Sequence, residues 1–359
     1  MNKIPMIAIS GKPYQRGYEY GKQAKAQIQL NIRNYQKLFQ DRKNIDHDQA
    51  LMITQTFQQA IDSYEHSYTE EMQGIAKGAE VDYEDILMIN CRSELLFSDN
   101  EVTQACTAFS ILPEANIEHK TYAGQTWDFA KMQREAMINL KISYEDNTKM
   151  IIFTEAGLIG GKGMNNYGIA MTLNALNTSK TCIGLPLHLR MRSVLEAKTL
   201  ASAYQKAVNG LISCSATFIL THRDGLALGV ELTPDDFDVI LPNQGIITHT
   251  NHILSSRLKI KDNNRLTGST FVRLCSINEL IYHQPKINLS FLKQLLQDHR
   301  GYPNSICVHS DDTQPKMKQI ATNQAIIMNL SDQIIYYTYG NPCENEFEII
   351  DLNKEGFML

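Results

Sequence analysis

The sequence predicts an α+β protein: a largely antiparallel sheet with helices packed outside it. Three observations lead there. The first hundred residues show helical periodicity, the remainder alternates β-like runs with turns, and few of those runs are separated by a helix-length link. The last point weighs most, because parallel neighbours need long crossover connections that helices usually supply. At 359 residues the chain can bury a substantial core.

Taken in order, residues 14–39 carry apolar or aromatic side chains at Tyr18, Ala24, Ile28, Ile32, Tyr35 and Phe39, which predicts one helix. Residues 50–64 and 70–79 continue the pattern. Asp82 is placed to cap a further helix through Ile86, Met88, Ile89 and Leu95, with Asp85 near its positive end. The periodicity breaks at 98–101. Residues 1–105 therefore read as a mainly helical N-terminal segment and 106–359 as the sheet-bearing core, together one structural unit. Strands are predicted at 107–112, 121–128, 150–155, 169–174, 217–221, 227–231, 238–241, 246–251, 306–309, 324–328 and 333–339. Helices interrupt them at 192–208, opened by Ser193, and at 290–299.

Composition excludes several classes. Thirty-four basic against 39 acidic residues leave a net charge of −5 with no basic run, so no nucleic-acid partner is expected. No stretch approaches the length of a membrane span. The amino terminus turns polar by Ser10 without a cleavage site, so a cytoplasmic location is expected. Seven scattered cysteines with no Cys-x-x-Cys pair argue for free thiols rather than a disulfide frame. His249 and His252 stand outside any His-Glu-x-x-His motif, so neither metal nor cofactor is expected. Gly160-Gly161-Lys162-Gly163 lacks the Gly-Lys-Ser/Thr of a phosphate loop and reads as a turn between strands. Cys307 reads as a core residue, although His299 and His309 flank it.

Chemistry concentrates at one predicted hairpin, Cys106-Thr107-Ala108-Phe109-Ser110-Ile111-Leu112 against Tyr122-Ala123-Gly124-Gln125-Thr126-Trp127-Asp128. With its tip near Ile117, paired positions place Asp128 across from Cys106 on the same face. A slip of one residue would turn one of them away. A thiol at a chain's amino terminus has its own α-amine as base, and a carboxylate opposite would orient that amine. Creating such a terminus requires a cut before Cys106, where the small Ala105 lets the thiol reach the upstream carbonyl. A buried cysteine opening a core strand fits the spacing equally well.

Seven blocks stand in order along the chain. They are Gly11-Lys12-Pro13-Tyr14 with Gly17 and Gly21, then Asn90-Cys91-Arg92-Ser93-Glu94, Ala105-Cys106-Thr107, and Gly124-Gln125-Thr126-Trp127-Asp128-Phe129. Thr154-Glu155-Ala156-Gly157 through Asn165, Gly168 and Asn174-Ala175-Leu176 follows, then Thr248-His249-Thr250-Asn251-His252 and Gly301-Tyr302-Pro303-Asn304-Ser305-Ile306-Cys307. In these blocks the chain resembles the isopenicillin N acyltransferase family (acyl-coenzyme A:6-aminopenicillanic acid acyltransferase and relatives) of Ntn hydrolases. It resembles the choloylglycine hydrolases more distantly.

The resemblance implies a four-layer αββα sandwich, self-cleavage between Ala105 and Cys106, and two chains that stay associated. It implies Cys106 as nucleophile with its freed amine as base, Asp128 beside it, and Asn174 and Asn251 in the oxyanion hole. Arg273 resembles an active-site arginine of the choloylglycine branch, with Arg265 in the same segment. Gln125, Trp127 and His249 are the candidate substrate contacts, with a hydrogen-bonded structural role the commoner outcome for a histidine such as His249. Gln125 stands where choloylglycine hydrolases carry arginine and agrees with the acyltransferase branch. Ala105 replaces a glycine and restricts the backbone more. The expected function is a cysteine amidohydrolase or N-acyltransferase working on a small-molecule amide through a thioester. Hydrolysis is the default outcome, and an acyl-coenzyme A thioester is one candidate donor. The alternative is an uncleaved, non-catalytic relative that binds an acylated small molecule.

Overall fold

The computed structural model describes residues 3–97, 105–178, 180–263 and 268–354. The chain opens with strand β1 (Met6–Ser10), followed by helices α1 (Pro13–Gln23), α2 (Lys25–Lys43), α3 (His47–Gln55), α4 (Gln58–Ala79), α5 (Tyr83–Asn90) and α6 (Arg92–Leu96). The single helix predicted over 14–39 is two, because the backbone leaves helical geometry at Ala24 (φ −108°, ψ 17°). Breaks also differ further on: α3 stops at Gln55, and Glu65 (φ −160°, ψ 99°) kinks α4. Asp82 precedes α5 in extended backbone, but its side chain makes no capping bond. Asp85 pairs instead with His47 at 2.8 Å.

The remainder carries β2 (Ala105–Ile111), β3 (Tyr122–Ala130), β4 (Met137–Ser143), β5 (Lys149–Glu155), β6 (Lys162–Asn165) and β7 (Ile169–Ala175). Helices α7 (Leu187–Leu195) and α8 (Leu200–Val208) follow, then β8 (Ala216–His222), β9 (Leu226–Leu232), β10 (Phe237–Ile240) and β11 (Ile246–His249). Helices α9 (Ser269–Tyr282) and α10 (Leu289–Leu295) lead into β12 (Ile320–Asn329), β13 (Ile334–Tyr337) and β14 (Glu348–Asp351). Eight strands form one sheet in the order β1-β4-β5-β6-β7-β8-β9-β10, and six form the other as β11-β2-β3-β12-β13-β14. Among the described residues every strand pair is antiparallel except β1 with β4.

Four layers result. Ala108 of β2 packs on Ile219 of β8 between the sheets. On the far side of the second sheet, Phe109, Ile111, Ala325 and Ile327 pack on Ile277 and Ile281 of α9 and on Phe291 and Leu292 of α10. Helices α7 and α8 cover the outer face of the first sheet. The N-terminal segment is not purely helical, because β1 is an edge strand of that sheet. Its alternating burial, with Ile7 and Ile9 inward, is too short a pattern to register in sequence without its distant partner.

Other departures have local causes. The helix predicted at 192–208 is two; Ser193 lies inside α7 and donates to Arg190 O at 2.8 Å, while Thr199 caps α8. Lys162 opens strand β6 rather than sitting in a turn. A Cβ at Gly163 would stand 1.9 Å from Ile151 O, so glycine here answers the close approach of β5. Residues 306–309 form no strand, and α9 (Ser269–Tyr282) stands where the sequence pattern gives no helix.

Helices α1 and α4 meet through glycines. A Cβ at Gly17 would lie 1.9 Å from Glu71 O, and one at Gly74 would lie 2.2 Å from Tyr14 O. The glycine pairs Gly17/Gly21 and Gly74/Gly78 thus bring two backbones into contact. Glu71 sits beside that seam, buried, bonded by Arg16 at 2.6 Å and by Arg192 of α7 at 3.0 Å. With both arginines in place its burial is compensated. Tyr20, Asn31 and Asn90 then bond the 156–158 backbone, fixing the turn after β5. Among the described residues no helix is long and apolar enough to cross a membrane.

Candidate active site

Cys106 is the second residue of β2 and is 1% exposed. The hairpin with β3 forms as predicted, but its register is one residue away from the expected one: Ala105 pairs with Asp128, and Cys106 with Trp127. The cause is parity. The ten residues 112–121 join the paired ends Ile111 and Tyr122, so no single residue occupies the tip. The Asp128 side chain therefore shares a face with Ala105 and Thr107, and the Cys106 thiol shares one with Trp127.

The main chain of Cys106 is held by side chains from three other parts of the fold. Its N–H donates to Asn251 Oδ1 at 2.7 Å. Its carbonyl accepts from Arg273 Nη1 at 2.5 Å and from Asn174 Nδ2 at 3.1 Å. Arg273, on α9, also donates to Thr107 Oγ1 (3.1 Å) and to Asn251 Oδ1 (3.0 Å). Asn174 gives its second N–H to His249 O at 3.4 Å, whereas Asn251 gives one to Ala175 O at 3.0 Å and keeps the other. Cys106, Asn174, Asn251 and Arg273 thus converge. Arg265 lies outside the described residues.

Burial pushes the Cys106 thiol up to about 11, and the Asp128 charge adds to this. The Asp128 backbone N–H and the charges of Lys162 and Arg273 oppose it. Burial also raises Asp128, to about 7, against the pull of Arg273 and of hydroxyls from Thr322 (2.6 Å) and Thr126 (3.1 Å). A carboxyl in that range can exchange a proton near neutrality.

Gln125 bridges the two sheets, its amide bonded to both N–H and C=O of Leu173 on β7 at 2.8 and 3.3 Å. With Trp127 it lines a cavity of about 20 Å3 between the sheets, room for about one water. His249 does not line it. Its ring nitrogens face Glu231 Oε1 at 2.8 Å and Thr250 O at 2.6 Å, so it has no free polar atom to offer a substrate. Burial works to raise Glu231, but His249 and the N–H groups of Leu254 and Ser255 hold it below the usual carboxylate range.

The polar wall of this cavity, charged Lys162, Arg92 and Glu155 with neutral His188, is not marked as a site in the sequence. The Lys162 ammonium lies 4.2 Å over the Trp127 ring, beside the strand pair that holds Cys106. Burial lowers it to about 8, with Cys106 and Glu155 pulling the other way. Arg92 meets Glu155 at 2.8 Å, both buried, while its Nη1 has no hydrogen-bond partner. Burial, with Arg92 next, holds His188 well below the usual histidine range, and its Nε2 also lacks a partner. Arg92 and Glu155 stood in two of the ordered blocks, but only the fold shows that they pair.

A sequence profile of the family described as acyl-coenzyme A:6-aminopenicillanic acid acyl-transferase matches residues 116–344. The 40 kDa form of acyl-coenzyme A:6-aminopenicillanic-acid-acyltransferase from Emericella nidulans is 30% identical over 305 residues, 84% of each chain. An uncharacterized protein of Archaeoglobus fulgidus is 24% identical over 217 residues, 53% of this chain and 36% of its own. Among solved structures, penicillin V acylase from Agrobacterium tumefaciens aligns with a TM-score of 0.47 at 12% identity, over 70% of this chain and 88% of its own. The Caenorhabditis elegans N-acylethanolamine-hydrolyzing acid amidase ortholog gives 0.46 at 15%, over 63% and 93%. On the strength of the profile and the 30% identical relative, the chain belongs to the acyl-coenzyme A:6-aminopenicillanic acid acyl-transferase family.

Proposed function

We propose that this chain is a self-processing cysteine enzyme that cleaves small-molecule amides and passes the acyl group to water or to an amine. The observation that carries the reading is the grip on both backbone atoms of Cys106. An ordinary core-strand cysteine leaves its main chain to neighbouring strands. Here Asn251, Asn174 and Arg273 reach in to hold it. Asn251 Oδ1 accepts from the amide N–H of the uncut chain and would accept equally from a free amine.

In processing, the Cys106 sulfur attacks the Ala105 carbonyl carbon and the Cys106 nitrogen leaves with the thiol proton. Water then hydrolyses the thioester, releasing Ala105 as a carboxylate and Cys106 with a free thiol and amine. The observed register favours this product. Asp128 faces Ala105, so its carboxylate stands beside the bond whose place the new ammonium takes. Lys162 supplies positive charge near the thiol, a part that Gln125 cannot play. Residues 1–105 would stay bound through β1 in the first sheet and through the helices clamped on 156–158.

In turnover the α-amine accepts the thiol proton and the thiolate attacks the substrate carbonyl. The free N–H of Asn251 is the available donor to the oxyanion, and we assign it that role. Collapse returns the proton to the leaving amine and leaves a thioester on Cys106. Water completes a hydrolysis; an acceptor amine completes a transfer. The relative's name adds acyl-coenzyme A to the donors worth trying.

Mass spectrometry of enzyme quenched during turnover of N-acyl amides tests this. We expect the acyl mass on the peptide beginning at Cys106, and added amine should divert product from acid to new amide. Product release with no acyl mass on Cys106 under any quench would refute the thioester.

A further inference from the structure

We propose that His299, Cys307, His309 and Cys343 bind a structural zinc ion, remote from Cys106. The four come from two loops. His299, Cys307 and His309 lie between α10 and β12, and Cys343 lies in the turn after β13. Their ligand atoms all fall within 4.8 Å of one another. His299 Nε2 stands 3.0 Å from His309 Nε2, and Cys307 Sγ stands 3.5 Å from Cys343 Sγ. His309 Nε2 is 3.6 Å from Cys307 Sγ and 3.3 Å from Cys343 Sγ.

A tetrahedral zinc with bonds of about 2.3 Å to sulfur and 2.0–2.1 Å to nitrogen sets those separations. It requires N···N near 3.3 Å, S···N near 3.6 Å and S···S near 3.8 Å, each approximate. The four measured distances match within about 0.3 Å of these ideals. Two thiolates and two neutral imidazoles also neutralise a divalent ion.

The surroundings are those of a metal centre. Asn341 Nδ2 donates to Cys307 Sγ at 3.4 Å, and the Cys343 backbone N–H faces the same sulfur. The other ring nitrogen of His309 faces Glu344 at 3.6 Å, the carboxylate–histidine arrangement that orients a ligating imidazole. Arg134 holds Asn341 in turn through Oδ1 at 3.0 Å. Cys307 is buried, while His299 and Cys343 are exposed, so an ion can enter from solvent. Thiolate plus imidazole at tetrahedral spacing selects zinc over magnesium or calcium.

Such an ion would tie the 299–309 loop to the turn after β13. Val308, between two ligands, donates its N–H to Thr322 Oγ1 at 2.9 Å, and Thr322 in turn donates to Asp128. The ion therefore steadies the strand that supports the catalytic carboxylate.

The test is metal analysis of full-length protein purified under reducing conditions without chelator. We expect about one zinc per chain, reduced at least tenfold in Cys343→Ser and in the double variant Cys307→Ser/Cys343→Ser, with circular dichroism unchanged in Cys343→Ser. Cobalt loading of the wild-type protein should give the intense visible bands of a tetrahedral thiolate site. That readout stands even if a variant misfolds. Three results would overturn the proposal: wild-type protein that takes up neither zinc nor cobalt after reduction, iron in place of zinc, or undiminished zinc in the double variant.

Discussion

Cys106 and Cys307 are both buried thiols, yet their neighbours differ in kind. Around Cys106, two amides and one guanidinium from separate elements hold the main chain, and the charged side chains of a cavity lie alongside. Around Cys307, the near neighbours are themselves ligand atoms: a second sulfur and an imidazole nitrogen. The first arrangement fixes a residue while leaving its sulfur to react. The second aims several donors at one shared point. Seven cysteines look alike in composition; what separates these two is which of their atoms the fold restrains.

The largest effect should come from exchanging the two roles by mutation. Cys106→Ala should stay full length, lose turnover by about 10⁴-fold or more, and keep its zinc. Cys307→Ser should do the reverse, losing zinc while still cutting itself. Electrophoresis, turnover assays and metal analysis of both variants check this, and zinc loss in Cys106→Ala would dissolve the distinction.

Next comes the cost of burying Asp128. Its folded-state carboxyl titrates near 7 against 3.8 in the unfolded chain, so between those values the folded chain holds a proton that the unfolded chain has released. Stability contributed at low pH is therefore lost as pH rises through about 4 to 7. In the Cys106→Ala background, Asp128→Asn should be more stable at pH 8 by up to about 4 kcal/mol, shrinking toward pH 4. Denaturant titrations at several pH values measure it; a stability gain independent of pH would contradict the assignment.

Asn251→Ala should lower turnover by about 10²–10³ while thermal stability changes far less. An equal loss of folding would make Asn251 structural. The smallest effect belongs to Lys162→Met. Removing a positive charge beside the thiol raises its pKa, so the pH profile of self-cleavage should move about one unit upward, roughly tenfold slower at fixed pH. An unmoved profile would remove Lys162 from the site.

Much of the candidate site is legible in sequence because it is local. The Cys106 hairpin, Gln125 and Trp127 sit on two short strands buried on both faces, and the polar, turn-rich stretch between them marks such a pair well. The register was not legible, since it depends on how the 112–121 connection folds, and one residue decides which face Asp128 takes. Arg273 was singled out by resemblance alone, while the helix α9 that aims it went unpredicted. Lys162 reads in sequence as part of a glycine-rich turn because the close approaches that demand those glycines, α7 at Gly160 and β5 at Gly161 and Gly163, are tertiary facts. The zinc cluster was least visible. Its ligands span 299 to 343 in irregular loops that carry no periodicity, and Cys307 flanked by His299 and His309 does not point to a fourth ligand 34 residues beyond His309.

On the proposed function, the fold holds Cys106 ready to become an amino terminus. Intact-mass analysis of the purified wild-type chain and of Cys106→Ala tests it most directly. Two wild-type fragments, 1–105 and 106–359, are expected, co-eluting natively and separating on denaturation, with Cys106→Ala a single chain. A wild-type chain that stays whole under every maturation condition, or a cut at any other bond, would contradict it.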